Sequence, residues 1–190
     1  MLQQLKPALL MLILMTILTG LLYPLAITAA AQLLFPRQAN GSLITDGERI
    51  AGSTLLGQNF VDPKYFWSRP SATTPFPYNA AASSGSNLGP LNPDLTRNIE
   101  ARRAALRAAD PEQRSSVPLD LLTSSASGLD PHISPDAAEY QAARVARARG
   151  LTVDQIRESI RRNTSGRQWG FLGEPVVNVV SLNLTLDRKP

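Results

Sequence analysis

Residues 7–35 carry no charged side chain. A helix rising about 1.5 Å per residue over such a run is more than long enough to cross a hydrocarbon core about 30 Å thick. No other stretch limits the fold as strongly, because a backbone in lipid has to satisfy its own hydrogen bonds. Leu9, Leu12, Leu14 and Ala26 lie in the run, and Gly20 and Pro24 interrupt it. A proline inside a helix removes one hydrogen bond and crowds the preceding turn, so the helix is expected to kink near residues 21–24 and continue. A cleaved secretory signal is the competing reading, since Lys6 precedes the run and Ala29, Ala30 and Ala31 lie near its end. The apolar core of a signal is only about 7–15 residues long, whereas here the apolar character continues through Leu33, Leu34 and Phe35. Length favours an anchor.

Of the 190 residues, residues 1–36 are then a short tail and a transmembrane helix, and residues 37–190 form one extramembrane domain of ordinary size. The amino terminus and Lys6 on one side of the span face Arg37 and Arg49 on the other. That slight bias places the tail in the cytoplasm and the domain outside. The chain has no cysteine, which suits an oxidising or a reducing compartment alike. A net charge of +4 with both signs interspersed excludes a broad nucleic-acid surface. Arginine far outnumbers lysine; phosphate or lipid contacts would explain this, and so would a biased base composition.

Residues 37–58 alternate short apolar runs with glycine and predict short strands joined by turns. Residues 62–92, rich in proline, glycine, serine and asparagine, lack the periodicity of any regular element. Their aromatics Tyr65, Phe66, Trp67, Phe76 and Tyr78 predict an ordered loop rather than a disordered one. Asn92-Pro93-Asp94 reads as a helix start, with Asn92 as cap, for a helix to about residue 108. Residues 117–123 read as a strand, with Pro118 at its start or on an edge. Ser134-Pro135-Asp136 caps a second helix that Gly150 stops. The capping box Thr152-Val153-Asp154-Gln155 opens a third, with Val153, Ile156 and Ile160 on one face. Residues 176–186 are β-rich and partly alternating, and predict a long strand with one covered face. The class is therefore α+β: one N-terminal transmembrane helix, then a small mixed sheet with about three helices.

His132 is the single histidine, and without cysteine a zinc site of the usual kind cannot be assembled from this chain. Asp130, His132 and Ser134 are the residue types of a hydrolytic triad, but triad members converge in space and seldom in sequence. A rigid turn in which Asp130 and Ser134 satisfy backbone donors is the preferred reading. Ser83, Ser84, Gly85, Ser86 and Asn87 form the one segment suited to cradling an anion, since small residues let amides point together. It lacks the lysine and spacing of a phosphate-binding P-loop, and a glycine-serine turn held by Asn79 and Asn87 is the plainer account. Arg69 has its own loop, a phosphate or a partner's carboxylate as possible counterparts. The aromatic group from Tyr65 to Tyr78 is either a partner surface or a second hydrophobic cluster.

Six blocks are together far more specific than any one of these features. They are Gly52-Ser53-Thr54-Leu55-Leu56-Gly57-Gln58, Tyr65-Phe66-Trp67-Ser68-Arg69-Pro70-Ser71-Ala72, Pro77-Tyr78-Asn79-Ala80, Ser86-Asn87-Leu88-Gly89-Pro90, Ser127-Gly128-Leu129-Asp130-Pro131-His132-Ile133-Ser134-Pro135 and Leu172-Gly173-Glu174-Pro175. In content and order, and with the N-terminal span, the chain resembles the C subunits of the bacterial Kdp-type potassium-transporting ATPases. Ser84 departs from that pattern, where a second glycine is usual, which weakens a backbone cradle at that spot. The resemblance implies an inner-membrane accessory subunit without catalysis or a cofactor of its own. Its implied partners are a pore-forming potassium subunit, a P-type ATPase subunit and a further small membrane subunit.

Two mechanisms are attached to the family. In one, residues 83–87 share an ATP contact with the ATPase subunit and raise its ATP affinity. In the other, the domain caps the potassium entrance of the pore subunit from outside, and the charge bias favours this one. The long loop would then make the contact, with Tyr65, Phe66, Trp67, Arg69, Tyr78, Asn79, Asp130 and His132 as candidates. The span would pack through small residues such as Gly20 and Ala26. A stand-alone anchored or secreted binding protein is the alternative.

Overall fold

The computed structural model describes residues 2–188 and divides after Leu43 into two compact units. In the first, helix α1 (Leu2–Ile17), a π turn (Leu18–Leu22) and helix α2 (Tyr23–Leu34) run on without a break, and a short helix α3 (Pro36–Ala39) follows. Gln4–Leu34 is long and apolar enough to cross a membrane. Leu9, Leu12, Leu14, Gly20, Pro24 and Ala26 are all exposed along it. At Pro24 the helix does not end. The Tyr23 amide donates five residues back to the Leu18 carbonyl, and the widened turn takes up the hydrogen-bond disruption that an internal proline causes.

From Ile44 on, the chain is α+β. Strands β1 (Leu43–Asp46) and β2 (Arg49–Ser53) form a hairpin. A second sheet has the order β3-β5-β4, from His132–Ile133, Val176–Asn178 and Thr164–Ser165. Its pairings are antiparallel, with His132 opposite Asn178 and Val177 opposite both Ile133 and Thr164. Helices α4 (Pro93–Ala109), α5 (Pro135–Arg149), α6 (Val153–Arg162) and α7 (Val179–Asp187) complete the unit.

The caps act where the sequence puts them. Asn92 accepts from the Asp94 amide at 2.8 Å and Ser134 from that of Ala137 at 3.1 Å. Thr152 and Gln155 close the capping box, and Gly150 ends α5 with φ of 65°. The alanines of α5 let α6 approach closely, and α7 packs against α6 and β5. Ala137, Ala138, Ala142, Val145 and Ala146 share a core with Ile133, Ile156, Ile160, Val177, Val179, Leu182 and Leu186. Each of the larger side chains contributes about 1.5–3 kcal/mol by leaving water.

Two expected strands are corrected. Residues 117–123 hold a 3-10 turn (Leu119–Leu121), in which the Leu122 and Thr123 amides both donate to the Leu119 carbonyl. Asp120, instead of pointing along a strand face, accepts from the Ser134 amide at 2.7 Å. The long strand predicted for 176–186 stops at Asn178, whose side chain accepts from the Ser181 amide at 3.0 Å and caps α7. Val179, Leu182, Asn183 and Leu186 recur at helical spacing, and packing onto α6 and β5 overrides their β propensity.

Candidate functional site

Residues 62–92 contain no helix or strand yet are held by two buried side-chain amides. Asn183 of α7 accepts from the Phe66 amide at 2.9 Å and donates to its carbonyl at 3.0 Å. Gln141 of α5 does the same for Trp67, at 2.8 and 3.1 Å. Each amide acts as the partner that a neighbouring strand would otherwise supply, so two successive residues are bonded without a sheet. Phe66 is 0% and Trp67 8% exposed. Expected either as partner contacts or as part of a second hydrophobic cluster, both side chains lie in the domain's main core. Arg102 and Arg144 lie 5.2 and 4.9 Å from the Trp67 ring centroid. Burial pulls the Arg144 guanidinium down to about 10, which leaves it charged at neutral pH while it donates to Gln141 at 2.7 Å and to the Pro63 carbonyl.

Gln141, Asn183, Arg102 and Arg144 are the residues that sequence reasoning missed. The available signal was a polar side chain interrupting an apolar or alanine face, as Gln141 does in α5 and Asn183 in α7.

Beyond Trp67 the loop folds onto the segment around Gly128, where the signature blocks meet. The Gly57 amide donates to the Leu129 carbonyl at 2.8 Å, and the Gly57 Cα lies so near the Tyr78 ring that a side chain has no room. Ser71 donates to the Gly128 carbonyl at 2.7 Å and accepts from the Tyr78 amide at 2.9 Å. Tyr78 donates to the Arg69 carbonyl at 2.6 Å, and burial raises its phenol above the ordinary range. Thr73 accepts from the Asn79 amide at 3.0 Å. Asn79 in turn donates to Thr74 and accepts from Ala81, so it shapes its own turn and does not reach residues 83–89. Ser83 Oγ and the Ser84 amide both donate to the Ser127 carbonyl at 3.0 Å, and the Ser124 hydroxyl donates to that of Ser86 at 3.0 Å. Asn87 adopts φ of 49°. Residues 83–87 are irregular, not the expected glycine-serine turn, and lie against residues 124–128.

Gly128 sits at the centre with φ of 70°. A Cβ there would stand 2.6 Å from both the Ser84 carbonyl oxygen and Thr73 Cγ2.

Next to this junction a cleft of about 400 Å³ is lined by Arg69, Asp120, Asp130, His132 and Glu174, among others. Asp130 accepts from the His132 amide at 3.0 Å, as expected of a rigid turn. It also faces His132 Nδ1 at 3.3 Å and Arg69 Nη1 at 3.5 Å. Burial tends to raise its carboxyl; the hydrogen bonds from the His132 ring and amide, with the charges of His132 and Arg69, outweigh it and hold the group below its ordinary value. His132 Nε2 faces Asn178 Nδ2 at 3.4 Å. The Asn178 amide is oriented by its bonds to Thr54 and Ser181, so neutral His132 carries its proton on Nδ1, toward Asp130. Arg69 donates to the Ser124 carbonyl at 3.3 Å, so its side chain is held by residues 124–130 and not by its own loop. Ser134, occupied as a helix cap, is not aligned with the pair as a nucleophile. Tyr65 lies apart from the cleft and donates to Asp187 at 3.0 Å.

The family KdpC, described as K+-transporting ATPase, c chain, matches residues 5–188. A potassium-transporting ATPase KdpC subunit from Methylococcus capsulatus is 60% identical over 187 residues, 98% of either chain. Another from Variovorax paradoxus is 60% identical over 96% of this chain and 94% of its own length. One from Sorangium cellulosum is 60% identical over 98% of both.

Proposed function

Because the chain belongs to the KdpC family, the c chain of the K+-transporting ATPase, we propose that it is a non-catalytic accessory subunit of an ATP-driven potassium uptake complex. It is anchored through Gln4–Leu34, with the domain from Ile44 on outside the cell, over the potassium entrance of the pore-forming subunit. The P-type ATPase subunit and a further small membrane subunit complete the assembly.

The observation that carries this reading is the convergence of four signature blocks at Gly128. Their polar side chains are engaged in holding the junction together, Ser71 on Gly128, Tyr78 on Arg69 and Asp130 on His132, and Ser83 just outside the blocks bonds Ser127. What such a junction offers a partner is a fixed shape beside a charged cleft. A contact of residues 83–87 with ATP is the less favoured mechanism, since Ser83 Oγ and the Ser84 amide are already bonded to Ser127.

The test is purification of the full-length chain from native membranes in mild detergent, with mass spectrometry of what stays bound, and protease added to intact spheroplasts. Co-purification of the pore and ATPase subunits with cleavage of the exposed domain is expected. A protected domain would overturn the external cap and leave the accessory role standing. A chain that elutes alone would favour a separate binding protein.

A further inference from the structure

The stretch 166–175 between β4 and β5 ends in a knob that the domain's own packing does not use. Trp169 is 85% exposed and Phe171 67%, with ring centroids 6.5 Å apart. The knob is built rather than loose. Gln168 and Leu172 exchange two backbone hydrogen bonds of 2.9 Å, and below them Arg167 Nη2 donates to both Glu174 oxygens at 2.9 and 2.7 Å. Gly170 and Gly173 take φ of 82° and 75°, and Trp169 itself takes 51°. For a bulky non-glycine residue that conformation is a true outlier, of a kind that gathers at functional sites. Here it directs an indole into water, where the ring gains nothing for this chain's own fold.

We propose that Trp169 and Phe171 are a binding hot spot that inserts into an apolar pocket on a neighbouring subunit of the same ATPase complex; this rests on the accessory-subunit reading above. Two observations favour a protein over a lipid surface. Arg167 and Glu174 cancel, so the base of the knob carries no excess positive charge to draw it to anionic headgroups. Beside the knob a cleft of about 410 Å³ is lined by His132, Ser165, Gln168 and Glu174 together with Leu172 and Val176. With polar and apolar groups side by side, it suits a partner's side chains better than an acyl chain. An aromatic centre with a polar rim is the usual anatomy of a hot spot.

The test places a benzophenone amino acid at position 169 of the full-length chain, assembled with its complex in native membranes, and identifies the adduct by mass spectrometry after irradiation. A cross-link to another subunit of the ATPase is expected. With Trp169→Ala, recovery of the complex in detergent should fall about tenfold or more. Trp169→Gly, which suits the positive φ, should weaken assembly equally while leaving the chain's own melting temperature unchanged or higher, a combination that a merely structural role would not give. Adducts with lipid alone, or no adduct although the chain co-purifies with its complex, would overturn the proposal. A chain that co-purifies with no ATPase subunit would instead bring down the accessory-subunit reading and this proposal with it.

Discussion

Asn183 satisfies both main-chain groups of Phe66 in a site closed to water. Removing one partner of a buried hydrogen bond leaves the other with its full desolvation cost, about 1–3 kcal/mol for each group. Asn183→Ala strands two such groups and is expected to destabilise the domain by about 2–5 kcal/mol, read as a lower urea midpoint. Leu→Ala at an exposed position such as Leu119 should change little. Asp130 gives a pH signature. Its folded carboxyl sits below its ordinary value, so its stabilisation is complete above the unfolded pKa of about 3.9. That stabilisation is lost as the pH falls through the lower folded value. Asp130→Asn should therefore be less stable than the parent near neutral pH and lose less on acidification, in denaturation curves taken at neutral pH and on either side of the carboxylate range.

Among the elements, those that announce their own ends were legible. Asn92, Ser134, Thr152 and Gly150 mark their boundaries with local chemistry, and the helices begin and stop there. Residues 176–186 were misread because Leu182, Leu184 and Leu186 alternate like a strand, while Val179, Leu182, Asn183 and Leu186 also repeat like a helix. Only the surface waiting on α6 and β5 chooses between the two. Two of the glycines contrast at this scale. Gly150 ends a helix with open space around it, whereas Gly128 has both a positive φ and neighbours where a Cβ would go. Gly150→Ala should cost about 1 kcal/mol, from backbone conformation alone. Gly128→Ala should cost several times that and disturb residues 71–87, a difference that thermal melts and amide exchange of that segment would measure.

For the molecule as a whole, the membrane helix and the α+β class could be read from composition and periodicity, because both are properties of contiguous stretches. The junction could not. It depends on Gly57 meeting Leu129, Ser71 meeting Gly128 and Phe66 meeting Asn183, and separations of that length leave no local pattern. The resemblance of the blocks marks these residues without saying that they touch. The same bonds set an order of events. The Phe66 main chain is completed by a residue of the last helix, which also brings Val179, Val180, Leu182 and Leu186 to the core. Until the ribosome has made α7, the domain lacks both its final wall and its clasp. A nascent chain of this kind therefore stays unlocked until its last helix has emerged. A product broken off before α7 would then display an open core, the state that proteolytic surveillance removes.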